Sequence, residues 1–383
     1  VSETANRAII DLSALRANYQ LACELADGRA VISVVKADAY GHGAVAVALC
    51  LESAGCRRLA VMTAAEGCGL REGGSEAQIL VLGGLGDAGE ARLAGEYGLT
   101  PVIHNPEGLG WAREAAAARA DGALPVHLEL DTGMRRMGSD SGGALELAEA
   151  IAAAPQLELA GTYTHFASAD SPDVASALEQ IQRFRQFLEA LEARGVSPGL
   201  IHAANSSALW AGPGLLGALP EASAVRPGLM LYGARSALHE DPDRRLRPVM
   251  SVRTRVAALR SLSPGEAVGY GSTWRAERPT RIATLSIGYA DGVLRSLSNR
   301  GEVWLAGARR PLVGRVSMDS VTVAVDDPEV RLAVGDPASF FGASPEGGAG
   351  IAVEEQAEAA GTLAYELLVR VGDRLPRVPL EGS

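Results

Sequence analysis

Lys36 closes the run VISVVK, and the small-residue loop ADAYGHG follows it. Read as a buried parallel strand, this stretch delivers one ammonium group to the strand's carboxyl end, beside a glycine-bearing turn. Such a lysine has two readings. It marks the edge of a core with its charge in water, or its amine is lowered in pKa so that it can form a Schiff base with a carbonyl. Other strand-like runs also end on residues capable of chemistry. Asp131 to Arg136 follow PVHLEL, His165 is the next-to-last residue of LAGTYTHF, His202 precedes Asn205 and Ser206 in GLIHAANS, and Arg226 precedes Gly228 in VRPGLMLYG. Each alone has a bland account: a hydrogen-bonded core histidine, a solvated arginine, a turn glycine. Five such ends in one chain point to a shared site.

Elements must bring those ends together. Between Val31 and Gly233, eight β-like runs alternate with Ala/Leu/Glu-rich helical ones: VISVVK, RRLAVMT, QILVLGG, TPVIHN, PVHLELD, LAGTYTHF, GLIHAANS and VRPGLMLYG. The helical stretch ALEQIQRFRQFLEALEARG has a glycine just past its basic end, as a C-cap requires. This alternation is the pattern of an α/β protein with a (β/α)8 TIM-type barrel, which places catalytic residues at the carboxyl ends of its strands. An open doubly wound sheet shares the alternation, but no G-x-G-x-x-G follows the first strand. After Arg235 the texture changes to MSVRTRVAALRSL, PTRIATLSIG, GEVWLAG, RRPLVGRVSMDSVTVAV and DPASFFG, runs parted by Gly, Pro and Asp that read as a mostly antiparallel β domain. The expected division is a barrel over residues 9–235 and a β domain over 236–383, with residues 1–8 crossing over to join the latter.

Composition bounds the partners. At 383 residues the chain suits two domains, and 47% hydrophobic with 21% charged residues is ordinary for a soluble protein. A net charge of −11 argues against nucleic acid or an anionic membrane as partner. Neither a long apolar run nor a basic region ahead of an apolar one opens the chain, so no membrane span or secretory signal is expected. Cys23, Cys50, Cys56 and Cys68 have irregular spacing that fits neither a metal site nor a disulfide framework; free thiols in a cytoplasmic protein are expected.

The motifs VVKADAYGHG, DTGMRRMG, THFASAD, HAANSSA, VRPGLMLYG, VGYGSTW, SIGYADG, GRVSMDS and LAYELL, in this order from Ala8 to Arg377, together resemble the alanine racemases. That resemblance implies a pyridoxal 5'-phosphate enzyme on a barrel-plus-β-domain fold, working as a homodimer on alanine and supplying D-alanine for peptidoglycan. It implies that Lys36 carries the cofactor and acts as one catalytic base, and that Tyr270 of VGYGSTW, supplied by the other subunit, is the second. Tyr40, Ser206, Tyr365 and the backbone N–H groups of Gly228 and Leu229 would hold the phosphate, with Asn205 beside them. His165 would lie against the cofactor ring, and Arg226, supported by His202, would bond the pyridine nitrogen. A guanidinium keeps its proton, so that nitrogen would stay unprotonated and the ring would be a weaker electron sink. The backbone N–H of Met318 would bind the substrate carboxylate. Asp319 and Tyr289 would line the mouth, which Tyr289 and Tyr365 would narrow in favour of a methyl side chain.

One position departs from the pattern. Many alanine racemases carry a carbamylated lysine where this chain has Glu129, seven residues before Arg136. A Glu129–Arg136 pair is the expected replacement, leaving Arg136 oriented toward the cofactor's phenolic oxygen and the substrate, and the alternative is that Glu129 faces elsewhere and another group, such as a bound anion, fixes Arg136; Arg135 is expected in solvent. A racemase of broader or different side-chain specificity is the alternative on the same fold. A non-catalytic pyridoxal-phosphate-binding protein is a third reading, disfavoured by Tyr270 and VSMDS.

Overall fold

The computed structural model describes residues 6–119, 122–169, 171, 173–211, 213–235, 245–348 and 350–381. The first five residues of the expected cross-over segment thus lie outside the described residues.

Eight parallel strands close into a barrel in sequence order: β2 (Ala30–Val34), β3 (Arg58–Val61), β4 (Gln78–Val81), β5 (Thr100–Ile103), β6 (Leu124–Glu129), β7 (Leu157–Tyr163), β8 (Leu200–His202) and β9 (Ala224–Val225). β9 returns to β2 through Ala30↔Ala224 and Val31↔Val225. The strands are short, apolar and mostly buried because helices cover them outside and side chains fill them inside. Local chemistry starts the helices. Thr63, Asp87, Asn105 and Asp140 each cap the next helix by accepting a backbone N–H. The long helix Ala175–Ala193 ends ahead of Gly195, whose φ of 68° only glycine adopts freely.

The last barrel run is shorter than its apolar sequence suggests. VRPGLMLYG supplies a two-residue strand and then a 3-10 helix, Leu229–Tyr232. Pro227 cannot donate to a ladder, and Ser206 Oγ draws the N–H groups of Gly228 (2.9 Å) and Met230 (3.3 Å) out of strand geometry.

The second sheet holds eight strands in the order β15-β14-β17-β10-β1-β18, with β13 joining β10 to β16. Its members are β1 (Arg7–Asp11), β10 (Met250–Leu262), β13 (Thr280–Leu285), β14 (Glu302–Leu305), β15 (Ala308–Pro311), β16 (Val321–Val325), β17 (Pro337–Phe341) and β18 (Arg377–Leu380). A separate two-stranded ribbon pairs β11 (Ala267–Val268) with β12 (Trp274–Arg275). All of the large sheet's pairings are antiparallel except β1 with β18. β1 thus pairs with β10 and β18 and runs to Asp11, whose carboxylate then caps helix Leu12–Ala26. The run RRPLVGRVSMDSVTVAV is two strands: β15 ends at Pro311, Gly314 turns the chain with φ of 77°, and VSMDS lies in the loop before β16. The four cysteines are free. Among the described residues no helix is long and apolar enough to cross a membrane.

Candidate active site

The barrel's carboxyl ends open on a cavity of about 700 Å³, and Lys36 lines it. Lys36 follows β2 after one residue, Val35, whose N–H donates to Ala60 O at 2.8 Å, and the next residues break the usual handedness. Ala37, Asp38, Ala39 and Tyr40 all have φ of 53° or 54°, a turn of left-handed helix made without glycine. Each such residue costs roughly 1–2 kcal/mol, so the surroundings must impose the turn. It carries Tyr40 under the cavity floor, 4.8 Å from the Tyr232 ring and 6.0 Å from that of Tyr365. A side chain at position 228 would put its Cβ 2.4 Å from the Tyr40 hydroxyl, which is why glycine stands there. Burial lowers the Lys36 pKa, and the cations Arg136 and Arg226 lower it further, against an opposing pull from Glu66.

Arg226 is the buried hub. Its Nη1 donates to His202 Nδ1 at 2.6 Å; its Nη2 donates to Thr164 O at 2.9 Å and contacts His165 Nδ1 at 3.2 Å. An acceptor Nδ1 places the proton of His202 on Nε2, which then donates to His127 Nδ1 at 2.8 Å. Burial and the Arg226 charge hold all three histidines neutral: His202 falls well below the ordinary value, and His127 and His165 fall to about 3. The guanidinium also lies 4.4 Å over the Tyr163 ring, which itself stacks on His202 at 4.6 Å.

Glu129 does not pair with Arg136 as expected. Its buried carboxylate accepts the Tyr163 hydroxyl at 2.9 Å and faces His104 Nδ1 at 3.0 Å, while His104 Nε2 meets Leu82 O at 3.0 Å. The reason is position. Glu129, Tyr163 and His104 sit at the ends of three successive strands, so neighbouring strands supply the partners, whereas Arg136 comes from the loop beyond β6. Arg136 still lines the cavity, and no ion pair occupies it among the described residues. Leu82, His104, Glu129, Tyr163, His202 and Arg226 thus form a belt of contacts around the barrel mouth. Arg135 is exposed, with φ of 54°.

The remaining expected residues divide into two groups. Tyr40, Ser206, Gly228, Leu229 and Tyr365 line the same cavity as Lys36, together with Asn205, whose side-chain oxygen caps helix Ser206–Trp210 through Ala208 N–H at 3.0 Å. Tyr270, Met318, Tyr289 and Asp319 lie on the β domain and do not line it. Tyr270 is 73% exposed and Met318 51%, and Asp319 is bonded to Arg374 at 2.7 Å. Strand-end reading missed His104, although it is the next-to-last residue of TPVIHN, and missed Tyr163, two residues before His165.

Residues 10–236 match the family model of the alanine racemase N-terminal domain, and residues 249–379 that of the C-terminal domain. The alanine racemase of Carboxydothermus hydrogenoformans is 39% identical over 96% of this chain and 98% of its own length. The crystal structure of alanine racemase from D-cycloserine-producing Streptomyces lavendulae superposes with a TM-score of 0.90 at 35% identity, covering 100% of this chain and 99% of that one. The structure of Bartonella henselae alanine racemase with covalently bound pyridoxal phosphate does so with a TM-score of 0.86 at 28% identity, covering 98% and 100%.

Proposed function

This chain belongs to the alanine racemase family, and from that premise we propose that it interconverts L- and D-alanine with pyridoxal 5'-phosphate and two bases, Lys36 and Tyr270. The observation that carries the reading is the convergence of Lys36, Arg136 and Arg226 on one cavity about 700 Å³ in volume. An amine, two guanidiniums and the hydroxyls of Tyr40, Ser206 and Tyr365 on one lining suit a phosphorylated aromatic aldehyde together with an amino-acid carboxylate.

The residues present fit the cofactor. Lys36 would hold its aldehyde carbon; Tyr40, Ser206, Tyr365 and the N–H groups of Gly228 and Leu229 would hold its phosphate, and Arg226 its ring nitrogen. When bound, pyridoxal phosphate supplies an electron-withdrawing ring that acidifies the substrate's α-hydrogen. The chain's own groups do the rest. Arg226 keeps its protons and so presents a donor, never an acid, to the ring. The lowered pKa of Lys36 raises its share of free amine at neutral pH, as a base acting on one face of the α-carbon requires. Arg136, not engaged by Glu129, is available to the substrate carboxylate.

Tyr270 would serve the opposite face. Its exposure outside this chain's cavity supports its entering the site of a second copy, with Met318, in a homodimer. D-Alanine for peptidoglycan would be the product's use. Borohydride reduction of the purified protein should fix pyridoxal phosphate on Lys36, located by peptide mapping, and racemisation across a panel of amino acids should favour alanine. A label on another lysine would overturn the assignment of Lys36, and comparable rates for larger side chains would favour the broader racemase.

A further inference from the structure

We infer that Glu66 is a positioning residue for Lys36: one carboxylate latches the left-handed turn after β2 to the end of β3. This rests on the catalytic reading of Lys36. Glu66 Oε1 accepts Ala37 N–H at 2.7 Å, the first amide of that turn. Its Oε2 accepts Met62 N–H at 2.7 Å and Thr63 N–H at 3.2 Å, where the adjacent barrel strand ends. Three backbone donors from two strand ends therefore meet on one side chain, immediately beside Lys36.

The turn needs such a latch. Four consecutive L-residues in the left-handed region relax toward right-handed or extended backbone unless they are held. Packing holds the second half of this stretch, where Ala39 and Tyr40 are buried, but not the first. Ala37 and Asp38 are exposed, and behind them lies a separate hollow of about 260 Å³ lined by Asp38, Glu66, Val35, Val45 and Leu70. The other hydrogen bonds are local: Ala39 N–H to Val35 O (2.9 Å), Gly43 N–H to Asp38 O (3.0 Å) and Ala44 N–H to the Asp38 carboxylate (2.7 Å). They stabilise the turn's shape but do not tie it to a neighbour. For residues 37 to 40, Glu66 supplies the side-chain hydrogen bond from another strand–helix unit among the described residues. Its negative charge also offsets part of the effect of burial, Arg136 and Arg226 on the Lys36 amine.

The chemistry of the contact selects the test. A carboxylate accepts on both oxygens, whereas a glutamine amide accepts on one and donates on the other. Glu66→Gln therefore keeps the shape but opposes an N–H to an N–H on one side, at Ala37 or at Met62 and Thr63. Hydrogen exchange read by mass spectrometry on the full-length, cofactor-loaded protein should rise about tenfold or more in the peptide spanning residues 36–44. Racemisation kcat should fall roughly 10- to 100-fold with KM little changed, since displacing a reacting group by about 1 Å costs about that much. Thr63→Val is the control. It removes the helix-cap hydroxyl that accepts Glu66 N–H at 3.2 Å, leaves the Ala37 contact in place, and should leave exchange unchanged. If Glu66→Gln does not fold, Glu66→Asp, one methylene short of spanning both strand ends, carries the same prediction. Unchanged exchange in the Glu66 variants, or an equal rise in Thr63→Val, overturns the latch. Exchange that rises in a protein which never racemises alanine would instead overturn the function and leave the latch standing.

Discussion

Glu129 accepts the Tyr163 hydroxyl instead of pairing with Arg136, and this changes what its removal should do. Glu129→Gln retains the volume but weakens the charge-assisted hydrogen bond from the Tyr163 hydroxyl, a contact worth about 1.5–3 kcal/mol. The expected consequence is displacement of Tyr163 and, through the stacked ring, of Arg226, with kcat falling roughly tenfold for each 1.4 kcal/mol that reaches the transition state. The parent enzyme should be indifferent to added bicarbonate, since a carboxylate is already built into position 129. A fully active Gln variant, or bicarbonate-dependent activity, would refute this account. The residue types at the site were legible because strand ends can be found from apolar runs. The partners of Glu129 were not, because contacts between neighbouring strands lie 34 residues apart (Tyr163) or 25 apart (His104) in the chain. Nothing in the letters KADAY announces a left-handed turn either: Ala and Tyr have no preference for that region, and only its held environment creates it.

At the level of elements, alternation exposed the barrel, and Gly/Pro-parted runs exposed the β domain. What the pattern could not supply was the neighbour list of β1. Ala8 and Ile10 are fully buried between β10 and β18, with Ile10 opposite Met250 in one register and Pro379 in the other. An alternating five-residue strand marks its own buried face but says nothing of which sheet receives it. Ile10→Ala should therefore destabilise the β domain, by about 2–5 kcal/mol as for other buried large-to-small changes. Denaturant melts followed on Trp304 of β14, which belongs to that sheet, check this. A melt unaltered at that tryptophan would mean that β1 contributes little to the sheet it joins.

On the scale of the whole molecule, two properties follow. On the proposed shared-site dimer, mixing Lys36→Ala with Tyr270→Ala protein, once mass-tagged chains show subunit exchange, should restore activity to roughly a quarter of wild type, because half the dimers would be mixed and each of those would have one intact site. Exchange without recovery would mean that both residues act within one chain or that Tyr270 is not a base. The second property is acid sensitivity. His127 and His165 are held down to about 3 and His42 to about 4, all by burial first, against about 6.5 in an unfolded chain. Between those values the unfolded chain binds protons that the folded one refuses, so their stabilisation is complete above pH 6.5 and is lost as pH falls below it. At pH 5 each of the three should cost about 2 kcal/mol. Thermal unfolding from pH 8 to pH 5 measures it, and a flat profile over that range would contradict the neutral assignments.

The placement of β1 also orders events during synthesis. The first described strand leaves the ribosome about 240 residues before β10, its antiparallel neighbour, and later still ahead of β18. At roughly 5–20 residues per second, that is a wait of about 10–50 seconds with Ile10 unpaired. The barrel strands, each beside its predecessor in sequence, can close in that interval. The nascent chain therefore carries an open apolar strand beside a closing barrel until β10 emerges, and one edge of that strand stays unpaired until β18 follows; that interval is when a holding chaperone would be needed.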